Sequence, residues 1–401
     1  MTLHLLKLIW NRRRSNLLVM TEIFFSFVVL LFVVGVAVYY ADNYRRPLGY
    51  RYDDVWRIEI GSNTIGPNPT DAAAAETGRQ LLLATHDFPQ IAAAAIAFTG
   101  PYDSATWSTD YDVDGRHYAY ELDPVTDGFE QVLGLELVRG RFFSREDDGA
   151  AVAPVVVNER LARSFYPDED PVGRLVPQDR DREGRPRPRK RIVGVVREFR
   201  QHGEFVAPAG YMFERRDPVT STEGPRLLLV RVRPGTTAEF EETLMRRLQS
   251  VARDWSFKVE SLSLRRSADH RQRLGALLAV GLVAGFLMLM VALGLTGVLW
   301  QNVTQRTREI GLRRAKGATA RRIYTQIVGE IVMMTTLSVA LAVLLVAQLP
   351  FLGVFRGVPP HVFVVSLVVS VAALYALAVL CGLHPARLAM RVQPAEALHY
   401  E

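Results

Sequence analysis

From 274 to 300 the chain runs without one charged side chain. At about 1.5 Å of helical rise per residue, such a run can cross the hydrocarbon core of a bilayer. Three further runs, 17–40, 327–349 and 362–383, are comparably apolar, and only Glu22 and Glu330 interrupt them. A backbone in lipid has to satisfy its own hydrogen bonds, so the four runs read as membrane helices. Everything else in the chain has to be arranged around them.

The orientation follows from charge. The segment 304–323, TQRTREIGLRRAKGATARRI, holds seven Lys or Arg against one acid, Glu309. Short basic loops stay on the cytoplasmic side. The 1–16 segment, amphipathic and ending near Arg12, Arg13 and Arg14, is read the same way. The helix that follows is too long for a cleaved signal peptide and closes on Tyr39 and Tyr40, an outer aromatic belt. Glu22, the only charge in that helix, is expected to snorkel toward the nearby arginines. Both termini are therefore expected in the cytoplasm. The net charge of +6 is explained by these flanking cations, so nucleic acid is not an expected partner.

Between the first two membrane helices the composition changes: Pro, Gly and Asp become frequent and short strand-like runs alternate with helical ones. Strands are predicted at 55–60, 91–98, 153–157, 191–196, 226–232 and 257–264, and helices at 71–87, from Asn158 to the residue before Pro167, and at 237–253. This is an α+β domain. The only cysteine, Cys381, lies in an apolar run, so no intrachain disulfide supports that domain.

The basic segment reads locally as a short helix. Thr307 can cap it, Glu309 sits in the positive first turn, and Arg313, Arg314 and Lys316 crowd the last turn before Gly317. Gly311, Leu312 and Ala315 share one side, where another backbone could approach. In the second membrane helix Gly281 and Gly285 form a GxxxG pair suited to close helix packing.

REIGLRRAKGAT followed by RRI closely resembles the signature of the FtsX-like permease family, the membrane subunits of MacB-type ABC transporters. The stretches DGFEQVLGLELVRGRFF at 127–143, VVVNERLARSFYPDEDPVGR at 155–174 and RIVGVVREFR at 191–200 resemble the MacB-type periplasmic core domain. The resemblance implies that the basic segment is a coupling helix on a cytoplasmic ABC ATPase, with Arg308, Glu309, Ile310, Gly311, Leu312, Arg313, Arg314 and Gly317 at that contact.

It further implies an α-helical membrane protein of four transmembrane helices, with a large two-lobed α+β periplasmic domain inserted between helices 1 and 2. The expected layout begins with a cytoplasmic segment 1–16, helix 1 at 17–41 and the periplasmic domain at 42–266. That domain divides into a membrane-proximal lobe of 42–100 and 220–266 and an outer lobe of 101–219. A stalk with helix 2 occupies 267–300, the coupling segment 301–326, helix 3 327–349, a periplasmic loop 350–361, helix 4 362–383 and a cytoplasmic tail 384–401. The expected location is the bacterial inner membrane, in contact with its lipids.

An ATP-binding P-loop needs a Gly-Lys-Ser/Thr core, and none of Lys7, Lys190, Lys258 or Lys316 follows a glycine. Neither GxSxG nor HExxH occurs. The chain is thus expected to be non-catalytic, with no metal or cofactor of its own; ATP and Mg would be used by a partner ATPase. The other partners implied are a second permease, identical or paralogous, and for export a periplasmic adaptor with an outer-membrane channel. The alternative roles are FtsX-like signalling to a periplasmic cell-wall hydrolase and lipoprotein extraction. His86, His117 and His202 read as surface histidines, and the Arg- and Pro-rich run at 179–191 as an exposed loop.

Overall fold

The computed structural model describes residues 13–62, 71–178, 185–216, 225–305, 312, 319–348 and 358–391. They fall into two compact units, 43–272 and the membrane unit of 1–42 with 273–401. Helix α1 (Arg13–Tyr44) opens the chain.

The 43–272 unit then follows in the order β1 (Val55–Ser62), α2 (Asp71–Thr85), β2 (Ile91–Ala97), β3 (Trp107–Val113), β4 (Arg116–Val125), α3 (Phe129–Leu133), β5 (Leu137–Gly140), β6 (Ala153–Asn158), α4 (Glu159–Phe165), β7 (Lys190–Val196), β8 (Tyr211–Arg215), β9 (Leu227–Val232), α5 (Ala238–Val251) and β10 (Trp255–Ser261). The strands make one sheet, β10-β1-β9-β2-β4-β8-β6-β7-β5, with β3 paired to β4. The β3–β4 hairpin turns on Asp114 and Gly115, both at positive φ (51° and 74°), the conformation that Asp-Gly supplies in a type I′ turn.

Alternation along the strands decides which face each side chain joins. On β9, Leu227 and Leu229 enter one core with Val55, Ala95, Tyr211 and Phe213, whereas Leu228, Val230 and Val232 enter another with Ile58 and Leu81. In the strands beyond β2 the same split recurs: Val156 joins the first core, and Val155, Val157 and Met212 join a third with Leu161 and Phe165 of α4. One face thus carries a single core running from β1 to β5. The opposite face carries two, one built with α2 and α5 and one with α4. The sheet is correspondingly narrow in its middle, where β2 and β4 share only the pair Ala97↔Val125.

Two local readings from sequence can be compared directly. Asn158 does cap α4, its Oδ1 accepting from Leu161 N at 3.0 Å. The last strand, however, stops at Ser261 rather than continuing to 264, and the next helix, α6 (Leu262–Gln305), starts there. Alternating Leu262 and Leu264 suggested a strand, but Ser261 Oγ accepts from Leu264 N at 3.2 Å. That bond is a helix-starting cap, and tertiary burial of Leu262 overrides the local pattern. At 44 residues, α6 is about 66 Å long without a break.

The membrane unit consists of the apolar parts of α1 and α6 with α7 (Ala320–Val346) and α8 (Pro360–Arg391). Among the described residues these four helices are long and apolar enough to cross a membrane. Val19, Ile23, Phe27 and Leu31 of α1, spaced by four, interlock with Val291, Leu295 and Leu299 of α6. Ile331, Val339 and Ala342 of α7 and Leu374 and Ala378 of α8 complete that core. Buried Ser338 and Ser366 spend their hydroxyls on the carbonyls of Met334 and Val362 in their own helices, which removes the cost of a free polar group in lipid.

Candidate functional site

The strand β7 leads into a segment, 197–206, that meets both the end of α1 and the start of α6. Phe199 and Phe205 are buried and hold the segment down. Between them Arg200, only 3% exposed, aims its guanidinium at backbone. Its Nη1 donates to the carbonyls of Asn43 (2.9 Å) and Arg46 (3.0 Å), and its Nη2 to those of Glu204 (2.7 Å) and Val206 (2.6 Å). Asn43 and Arg46 are the end of α1 and the residues just beyond it. A planar fork with fixed donors suits four carbonyls at once. Burial pulls the Arg200 pKa down, and Glu198 and Glu204 oppose that pull.

Glu204 performs the complementary task on the other membrane helix. Its Oε1 accepts from Arg266 Nε at 2.5 Å, and its Oε2 lies 3.0 Å from His270 Nε2 and 3.1 Å from the Tyr102 hydroxyl. Burial works to raise its pKa, but the bonds from His270 and Arg266 outweigh burial and hold it below the usual carboxylate range. It is therefore an anion seated in a buried site, made tolerable by full hydrogen bonding.

The start of α6 fits this seat on one helical face. Leu262 is fully buried in the shared core, Ser263 Oγ donates to Tyr52 O at 3.4 Å, and the Arg266 guanidinium lies 4.4 Å over the Tyr52 ring. His270 packs edge-on against Phe205 at 4.9 Å, and Tyr44 at the end of α1 stacks on the same Phe205 at 5.7 Å. Arg265 adds a longer pair, 4.0 Å to Asp103, whose other partner is buried Arg57 at 2.7 Å. The connection from α1 is laid against the same segment: Arg200 N donates to Leu48 O at 3.1 Å. Next to it Gly49 has φ 85°, and any Cβ there would run into the Glu198 carbonyl, so only glycine fits.

This junction was not legible as a site. The stretch RIVGVVREFR carries the family likeness, but its pattern marks out neither Arg200, its last residue, nor Glu204 beyond it. The signal available was an Arg and a Glu four residues apart, bracketed by Phe199 and Phe205, which is unusual for a solvated loop. Of the residues expected at the ATPase contact, Arg308, Glu309, Ile310, Gly311, Arg313, Arg314 and Gly317 lie outside the described residues, and Leu312 is exposed. Among the described residues nothing approaches Gly281 or Gly285 closely enough to meet an added Cβ. The glycine of α6 that does meet another helix is Gly294, against Glu22.

His86 and His117 are exposed, as expected of surface histidines, whereas His202 is half-buried. His202 lies between Glu121 and the Asp103 carbonyl, and His117 sits exposed between Asp110 and Asp112. The spacing Asp110-x-Asp112-x-Asp114-Gly115, with Glu121 beyond, is that of a calcium loop, but here it is spent on a β-hairpin. Among the described residues no group of His, Cys, Asp or Glu could hold a metal ion.

A profile of the MacB-like periplasmic core domain matches residues 23–247, more than half of the chain, and one of the FtsX-like permease C-terminal region matches 281–394. The chain belongs to the MacB-like ABC transporter permeases. Similar family members include the macrolide export ATP-binding/permease protein MacB of Agrobacterium fabrum, 28% identical over 67% of this chain and 42% of that protein. The MacB of Marinobacter nauticus is 24% identical over 71% and 44%. YvrN of Bacillus subtilis, an uncharacterized ABC transporter permease, is 24% identical over 69% of each chain. This MacB-like chain spans less than half the length of the MacB proteins it matches. The periplasmic region of MacB from Actinobacillus actinomycetemcomitans aligns with 54% of this chain and 92% of its own, at 15% identity and a TM-score of 0.38. Four apolar helices and a permease family fit an inner-membrane protein, and the family implies an ATPase partner.

Proposed function

We propose that the chain is the non-catalytic permease subunit of a MacB-type, mechanotransmission ABC transporter that exports or extracts a substrate on the periplasmic side. A separate cytoplasmic ATPase uses ATP and Mg and docks on the segment carrying Arg308, Glu309, Ile310, Gly311, Leu312, Arg313, Arg314 and Gly317. The observation that carries this reading is the junction at 197–206, where Arg200 holds the end of α1 and Glu204 holds the start of α6. A displacement of either helix is thereby passed to the sheet, because breaking a buried charged hydrogen bond costs more than moving the group bonded to it.

Two permeases, identical or paralogous, would bring Gly281 and Gly285 into an interchain contact, since among the described residues these glycines meet none. An adaptor and an outer-membrane channel would complete an export route. The test is affinity purification of the tagged protein from native membranes in mild detergent, followed by mass spectrometry. An ATPase with an adaptor is the expected result. An ATPase with a cell-wall hydrolase would replace export by signalling, and no ATPase would overturn the reading.

A further inference from the structure

Glu22 is the one charged group in the apolar part of α1, and it faces α6. Its Oε2 is 2.6 Å from the place a Cβ would take at Gly294. Glycine at 294 is thus what lets a carboxylate lie against the backbone of the neighbouring helix. Leu18, Phe25, Met290 and Leu293 wall a groove around it of about 730 Å³, a volume ordinary for a small-molecule site. Leu18, Phe25 and Leu293 are each about 60–70% exposed, so the groove opens sideways, toward lipid. Glu22 lies five residues beyond Leu17, where the apolar span begins, about 7.5 Å along the helix. Among the described residues no hydrogen bond or ion pair engages its carboxylate.

An ionised carboxylate at that depth is costly unless a cation meets it. Apart from Glu22 the walls are apolar but for Thr21, whose hydroxyl donates to Leu17 O at 2.8 Å, so the complementary ligand carries one positive charge inside an apolar body. We propose that the groove between α1 and α6 binds a lipophilic cation that enters laterally from the bilayer. A neutral lipid chain would fill the walls but leave the carboxylate unpaired, and an anion would be repelled. The site rests on the membrane unit alone and stands independently of how the chain couples to an ATPase.

The test uses the full chain in phosphatidylcholine nanodiscs and equilibrium dialysis with tetraphenylphosphonium, with empty discs as background. Tetraphenylborate, equal in size and opposite in charge, is the control. Saturable binding of the phosphonium is expected, without saturable binding of the borate. E22Q, nearly isosteric and verified by its elution profile, should weaken the phosphonium at least ~10-fold, and E22D should retain more of it. G294L, which fills the space, should also abolish binding. Equal affinity in E22Q, or no saturable binding to the wild type, would overturn the site. So would an interchain disulfide through L18C in a C381A background combined with absent binding, because the groove would then be covered by a second copy.

Discussion

A carboxyl buried as completely as that of Asp123 folds most easily when protonated. Its Oδ1 accepts from Phe98 N and Thr99 N, each at 3.1 Å, while no described hydrogen bond reaches Oδ2. Burial pushes its pKa up to about 8, against the contrary pull of the Thr99 and Phe98 bonds. Above pH 4 the unfolded chain loses this proton while the folded one keeps it until about pH 8. The contribution to stability is therefore complete below pH 4, falls as pH rises, and is gone above pH 8. D123N should remove that slope and stabilise the protein at pH 8 by on the order of 2–4 kcal/mol. Thermal melts in detergent from pH 5 to 8.5 would show it, and parallel curves for the two proteins would refute it. Arg200 is the opposite case, a charge whose loss strands partners. R200A leaves four carbonyls without their donor and should cost about 3–5 kcal/mol. R200K should recover little of this, since an ammonium cannot span the fork; full recovery in the melting temperature would show that charge alone suffices.

At the scale of elements, α6 joins the Glu204 seat to an apolar span as one uninterrupted helix. A268P lies between Arg266 and His270 and should cost about 3 kcal/mol of helix. With the partner ATPase reconstituted, hydrolysis should persist while transport is lost; retained transport would show that helical continuity is not needed. The elements were read from sequence with uneven success, for physical reasons. Helix α4 was legible because its cap is local: Asn158 and Leu161 are three residues apart. The four apolar helices were legible because hydrocarbon imposes length and composition directly. The start of α6 was not, because Leu262 takes its conformation from a core assembled by Val55, Ala95 and Phe129, all distant in sequence. The junction was hidden for the same reason: Arg200 bonds to Asn43 across 157 positions, a pairing that periodicity cannot contain.

For the whole molecule, the coupling assignment makes the most exposed claim. Replacing Arg308, Glu309 and Arg313 together by alanine should leave membrane insertion and thermal stability unchanged. The co-purified ATPase should fall at least ~10-fold, the loss of a few charge-assisted contacts. Undiminished recovery of the ATPase would remove the coupling role from this segment. A different consequence follows from the narrow waist of the sheet. The chain leaves the four strands β10-β1-β9-β2 after Ala97 and re-enters them at Leu227, and those two residues are direct cross-strand partners. Everything from 98 to 226 is therefore topologically a graft set into what would otherwise be a plain hairpin of β2 and β9. Exchanging that graft for another of different size would leave the registers of β1 with β10 and β9, and of β9 with β2, in place. The exchange carries one condition: the newcomer has to bring its own equivalents of Arg200 and Glu204, because those two holds on α1 and α6 belong to the inserted part, whereas Tyr52 and the core around Leu262 would stay behind.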